Sequence, residues 1–118
     1  MNIHMFMGSA LQAVKADLFR ALAHPVRIRI LEALAGRERT VLDLQEVLGL
    51  DQPVVSQHLA ALRARHLVHV RKDGTLARYT LRSPLVADLL RVARELLNHR
   101  LTEHQSMLRE LRREGRKA

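Results

Sequence analysis

A mainly helical fold with one small β-hairpin wing is predicted by three observations. Apolar residues recur at helical spacing over most of the chain. One stretch, LVHVRKDGTLARYTLR, breaks that rhythm and alternates around Asp73-Gly74. The apolar content is 47% and almost wholly aliphatic, with one Tyr and two Phe, as suits packed helices. In 118 residues these elements make one domain with a small core, so part of the apolar surface is expected to be buried only in an oligomer.

The elements follow in order. Leu11, Val14, Leu18 and Leu22 place a first helix over residues 9–23, after an N-terminal arm of residues 1–8. His24-Pro25 ends it and opens the second helix, because proline suits a first helical turn and not an interior. Ile30, Leu31 and Leu34 give that helix its buried side, and Gly36 is expected to stop it. Thr40 with Asp43 reads as a capping pair for a short helix carrying Leu44, Val47 and Leu48, closed by Gly49. Asp51 and Pro53 then open the helix DQPVVSQHLAALRAR. A short helix, a tight turn with glycine and a second helix is the helix-turn-helix outline.

Val68, Val70, Leu76, Tyr79 and Leu81 form the arms of a hairpin about Asp73-Gly74. Ser83-Pro84 starts the last helix, a capping serine followed by proline. Its Val86, Leu90, Ala93, Leu97, Leu101, Leu108 and Leu111 form an apolar seam. From residue 84 to about 112 that helix is roughly 40 Å long, which suits contact between subunits. The single domain thus covers residues 9–112, and the basic tail, 113–118, is expected to fray.

Charge narrows the function. Twenty Lys and Arg against twelve Asp and Glu give a formal net charge of +8, which favours an anionic partner, nucleic acid first and anionic lipid second. The absence of cysteine excludes disulfides, thiolate metal sites and a cysteine nucleophile. No run approaches the ~18 apolar residues of a membrane span. The opening MNIHMFMGSALQAV lacks the basic start of a secretory signal. The chain is therefore read as cytoplasmic, with no membrane partner.

On a helical wheel, Val55, Leu59 and Leu62, followed by His66, make the buried side of the helix opened by Asp51. Opposite them stand Pro53, Gln57, Ala60 and Ala64, with Ser56 and Arg63 on one flank and Val54 and Ala61 on the other. This outward face is narrow, uncharged at its centre and lined by small side chains, the profile of a helix that must approach something closely. The major groove admits one α-helix; Gln and Ser read base edges there, and Ala or Val meets the thymine methyl. Arg63 and Arg65 can hold phosphates at the rim. His58 lies at the edge of the buried side, placed for packing or a phosphate contact.

The segment from Leu18 to Leu81 resembles the winged helix-turn-helix regulators of the ArsR/SmtB (arsenic and metal sensing) family. The resemblance is carried by FRALAHPVRIRILEAL (residues 19–34), TVLDLQEVLGLDQPVVSQHLAALRARHLV (40–68) and the hairpin VRKDGTLARYTL (70–81). It implies a cytoplasmic homodimer that binds a partly palindromic double-stranded DNA operator and regulates transcription. It also implies a recognition helix over residues 51–65, a wing over 71–78, and a dimer interface through the first and last helices. The DNA-contacting candidates are Thr40, Gln52, Val54, Ser56, Gln57, His58, Arg63, Arg71, Lys72 and Arg78. The interface candidates are Leu11, Val14, Leu18, Val86, Leu90, Ala93, Leu97, Leu101 and Leu108.

The chain departs from the metal sites that the family often carries. Where many members have E-L-C-x-C-D-L, this sequence reads ERTVLDL, with Thr40 and Leu42 at the thiolate positions. Leucine cannot ligate a metal. The family's second site, on the last helix, maps to Ser83, Leu85, Leu96 and His99, so at most one ligand survives. Other donors remain. His99 with Glu95 or Glu103 can chelate an ion, or the acids can trade ion pairs with Arg100. Imidazole with carboxylate suits nickel, zinc or cobalt as effector. His104 lies within the apolar seam, where it packs at an interface or shares an ion across a dimer. His4 among Met1, Met5 and Met7 offers soft donors or a packing arm.

Two other readings stand beside the DNA-binding regulator. One is a winged-helix protein-interaction module, or a regulator under a partner protein, with no metal sensing. The other is an enzyme, against which the chain shows no glycine-rich phosphate loop, paired catalytic carboxylates or evident nucleophile–base set.

Overall fold

The computed structural model describes residues 3–117, with side chains over 10–116. The elements are α1 (Ile3–Leu22), α2 (Pro25–Gly36), β1 (Arg39–Thr40), α3 (Val41–Leu48), α4 (Gln52–Ala64), β2 (Val68–Asp73), β3 (Leu76–Leu81) and α5 (Pro84–Lys117). The chain forms two units, Met1–Ala87 and Asp88–Ala118. The first contains α1 to α4 and a three-stranded antiparallel sheet in the order β1-β3-β2. The second is the body of α5.

The core of the first unit is built around α2, which packs on α1, α3, α4 and β3. Ile30, Leu31 and Leu34 of α2 meet an aliphatic set: Ala21 and Leu22 from α1, Leu44 and Leu48 from α3, Val55, Leu59 and Leu62 from α4, then Leu67 and Val68. Each large side chain buried in this way contributes about 1.5–3 kcal/mol relative to exposure.

Helix ends are closed by named groups. Thr40 and Asp43 form a reciprocal capping box at the start of α3, and Gly49 closes that helix in the left-handed region at φ 68°. Three arginines satisfy carbonyls near the C-terminal ends of helices. Arg27 Nη1 donates to the Ala21 carbonyl of α1 at 3.3 Å, Arg39 Nε to Ala33 of α2 at 2.9 Å, and Arg29 Nη2 to Leu48 of α3 at 3.0 Å. Part of the basic surplus is therefore structural.

The structure corrects several sequence expectations. α1 begins at Ile3 instead of near residue 9. Gly36 is the last residue of α2, as expected, and Arg37 leaves the helix in extended conformation. The hairpin turn sits one residue later than the Asp73-Gly74 signal: Asp73 pairs with Leu76, so Gly74 and Thr75 form the loop, with Gly74 at φ 64°. Strand β1 was not expected; its two residues, Arg39 and Thr40, pair with Tyr79 and Arg78. Thr40 is thus both a strand residue and the cap of α3, and it ties the wing to the helix-turn-helix. α5 continues to Lys117 through the tail that was expected to fray, a run of helix-favouring Arg, Glu and Leu broken only by Gly115.

Val86 was expected on the intersubunit seam but is buried within its own unit, in the first turn of α5. The side chains of His4, Met5 and Met7, and all of Met1, lie outside the described residues. Finally, α4 ends at Ala64, so the wheel that placed His66 on the buried side no longer applies there. His66 is exposed and left-handed, at φ 59°. An L side chain in that region is strained and glycine is not. His66→Gly is expected to stabilise the fold by about 0.5–1 kcal/mol, net of glycine's greater unfolded-state entropy. A chemical-denaturation midpoint that rises without a change of slope meets the expectation; one that falls refutes it.

Candidate nucleic-acid interface

The outward face of α4 follows directly from its buried one. Val55, Leu59 and Leu62 are at most 1% exposed, which fixes the rotation of the helix about its axis. Pro53, Gln57, Ala60 and Ala64 are then exposed together on the opposite side, as the wheel requires. Val54 is exposed on one flank, and Arg63 is exposed and Ser56 half-buried on the other. No charged residue stands at the centre of this face.

The first turn of α4 carries a contact that the sequence reading missed. Gln52 Nε2 donates to Ser56 Oγ at 2.8 Å, which links two base-reading candidates and leaves the serine O–H free to donate elsewhere. Their i, i+4 spacing was the available signal. His58, one residue beyond Gln57, points the other way. It is half-buried, its Nδ1 accepts from Arg27 Nε at 3.2 Å, and its ring lies 4.3 Å from that of His24. Burial first, then the neighbouring His24 and Arg27, push its imidazole below the ordinary value. Of the two roles open to His58, packing is the one with visible partners. Thr40 likewise has its hydroxyl accepting from the Asp43 N–H at 3.1 Å. The Thr40 backbone N–H in turn is the main cause holding the Asp43 carboxyl below its usual value.

The two arginines of the wing are paired with acids. Arg71 and Arg78 stand directly opposite each other on β2 and β3. Like charges in that register repel, and each has an acid at hand. Arg71 Nη2 reaches both oxygens of Glu38, at 3.1 and 3.2 Å, and Arg78 Nε lies 3.4 Å from Asp73. Arg65, read from sequence as a rim contact, lies 3.5 Å from Asp17 of α1. Among the described residues Arg63 and Lys72 have no acidic partner. The pairs are exposed, so each is worth roughly 0–1 kcal/mol and can be exchanged for a phosphate.

On α5, Leu90 is half-buried, while Ala93, Leu97, Leu101 and Leu108 are exposed; on α1, Leu11 and Val14 are exposed and Leu18 is half-buried. The metal candidates fare differently. His99 Nε2 lies 3.0 Å from Glu103 Oε1, both well exposed. His104 follows Glu103 at about 100° round the helix, too far to join the same ion. Among the described residues no group of three potential ligands gathers. Among those residues, too, no helix is long and apolar enough to cross a membrane.

Comparison with known proteins agrees with this architecture. The model for the bacterial regulatory protein arsR family matches residues 24–70, from the cap of α2 into β2. The HTH-type transcriptional regulator Rv0081 of Mycobacterium tuberculosis is 42% identical over 89% of this chain and 93% of its own. Its crystal structure superposes with a TM-score of 0.75, covering 80% of this chain and 95% of that one. The homodimeric winged helix-turn-helix DNA-binding domain Mb0332 of Mycobacterium bovis, 30% identical, also gives 0.75, over 81% and 89% of the two chains. A protein of Streptomyces lividans described as a probable mercury resistance operon repressor is 43% identical over 67% of this chain and 63% of its own. Together with a helix-turn-helix whose second helix has an exposed side uncharged at its centre, and a hairpin wing, these matches show that the chain belongs to the ArsR family of DNA-binding transcriptional regulators.

Proposed function

We propose that the protein acts in the cytoplasm as a homodimer on a partly palindromic DNA operator, with α4 as recognition helix. The carrying observation is the outward face of α4: Gln57 exposed among Pro53, Ala60 and Ala64, opposite a fully buried side. Small walls let the helix come close to base edges, and Gln57, Ser56 and Gln52 supply donors and acceptors. Arg63 and Lys72 meet phosphates directly, whereas Arg71 and Arg78 exchange their acids for phosphate. Two such helices in one dimer would enter successive major grooves about 34 Å apart. The dimer reading is supported by Leu11 and Val14 of α1 and by Leu97 and Leu101 of α5, each more than half exposed in the single chain.

A gel-shift series in increasing salt tests the division of labour. Gln57→Ala is expected to narrow the gap between an operator duplex and random DNA by roughly 1–3 kcal/mol, with the salt slope unchanged. Lys72→Ala is expected to weaken both duplexes alike and to flatten the slope by about one unit. Equal losses on both duplexes for Gln57→Ala would count against base reading by α4.

For the effector, a divalent ion such as nickel, zinc or cobalt is favoured by one observation, the 3.0 Å approach of His99 to Glu103. Because this pair is only part of a ligand set, the rest would come from water or a second subunit. On this reading the ions change operator affinity, and His99→Ala abolishes the change. An affinity indifferent to all three ions removes metal control.

A further inference from the structure

We propose that His24 and Arg27 act as positioning residues for DNA recognition, holding the recognition helix through a neutral His58, so that operator specificity is lost as His58 takes up a proton. This inference rests on the assignment of α4 as the reading helix.

The cluster joins three helices through one guanidinium. Arg27 of α2 donates from Nε to His58 Nδ1 of α4 and from Nη1 to the Ala21 carbonyl of α1. His24, at the junction of α1 and α2, accepts the Val26 N–H on its own Nδ1 at 3.1 Å and caps α2. Both rings therefore accept on Nδ1, and an accepting Nδ1 carries no proton. While its contact holds, the His58 ring is neutral, with its one ring proton on Nε2. The two rings also touch, tilted by 48°.

A second proton on His58 would set an N–H against the Arg27 N–H, and two cations would share a half-buried space. The groups acting on His58 are His24 and Arg27, both of which disfavour its charged form. Asp17 of α1, the helix whose last turn Arg27 reaches, is held by Arg65. Desolvation works in the same direction, and the imidazole is accordingly lowered from its ordinary value of 6.5. The sign follows: the unfolded chain takes up the proton first, so the contribution of the cluster is complete above pH 6.5 and is lost as pH falls through the lower folded value.

His58 is the residue after Gln57, so slackening its anchor moves the reading face itself. Acid should otherwise strengthen DNA binding, because protonated histidines add positive charge. The expected signature is thus a loss of specificity without a loss of general affinity. A charged hydrogen-bonded contact of this kind corresponds to about tenfold or more in an equilibrium.

The test uses the full chain and two duplexes, one selected by the protein from a randomised pool at pH 8 and one of random sequence. Affinities are measured from pH 8 to pH 5.5 at constant ionic strength, beside imidazole ¹H–¹⁵N spectra of the same protein. The ratio of selected to random affinity is expected to fall about tenfold. Its midpoint should match the titration of His58, with random-duplex affinity steady or rising. His24→Asn keeps a capping side chain and removes the second imidazole; it should move both midpoints to higher pH. A constant ratio, or a midpoint that His24→Asn leaves in place, would overturn the inference while the operator reading stands. No preference for the selected duplex even at pH 8 would overturn the operator reading, and this inference with it.

Discussion

Arg27 links α2 to the last turn of α1 and to α4 with a single planar group. The constraint it answers is general to small helical proteins. Every helix leaves its last four carbonyls without internal partners, and a core of Leu, Ile and Val has nothing to offer them. Here arginine supplies the donors, with Arg39 on Ala33 and Arg29 on Leu48 doing for α2 and α3 what Arg27 does for α1. Guanidinium suits this use because its donors are several, fixed in a plane and always charged. The position of α4, and with it the direction of Gln57, depends on this frame as well as on the burial of Val55, Leu59 and Leu62.

That use of arginine changes how the net charge is read. A surplus of +8 favoured an anionic partner. In the fold, Arg27, Arg29 and Arg39 face inward to carbonyls, while Arg65, Arg71 and Arg78 stand beside Asp17, Glu38 and Asp73. The proposed DNA face is therefore more moderate than the composition. On the proposed DNA face, the acids beside Arg71 and Arg78 would lower affinity for any duplex and leave the base contacts untouched. The fraction of binding energy that depends on sequence is correspondingly larger.

Elements governed by local chemistry were legible in the sequence. Thr40 with Asp43, Gly49, Pro25 and Ser83-Pro84 each mark a helix end through a mechanism confined to a few residues, and each mark holds. The two faces of α4 were legible because periodicity alone separates Val55, Leu59 and Leu62 from Gln57, Ala60 and Ala64. What escaped was set by distant partners. Strand β1 is two residues long and exists because Tyr79 and Arg78 lie alongside it. The ring of His24 meets that of His58 only after two helices have packed. Val86 fell on the apolar seam by spacing, but its place in the first turn of α5 puts it in the core instead. Leu42, at a family thiolate position, is exposed on α3.

The central claim is that α4 meets DNA with the side centred on Gln57. The most direct measurement is a ¹H–¹⁵N titration of the protein with a duplex that it has selected from a random pool. The account predicts that the Gln57 side-chain amide and the backbone amides of Ala60 and Ala64 move most, with Lys72 on the wing moving beside them. Shifts gathered instead around the exposed Leu42 and Val47 of α3, with Gln57 unmoved, would contradict it.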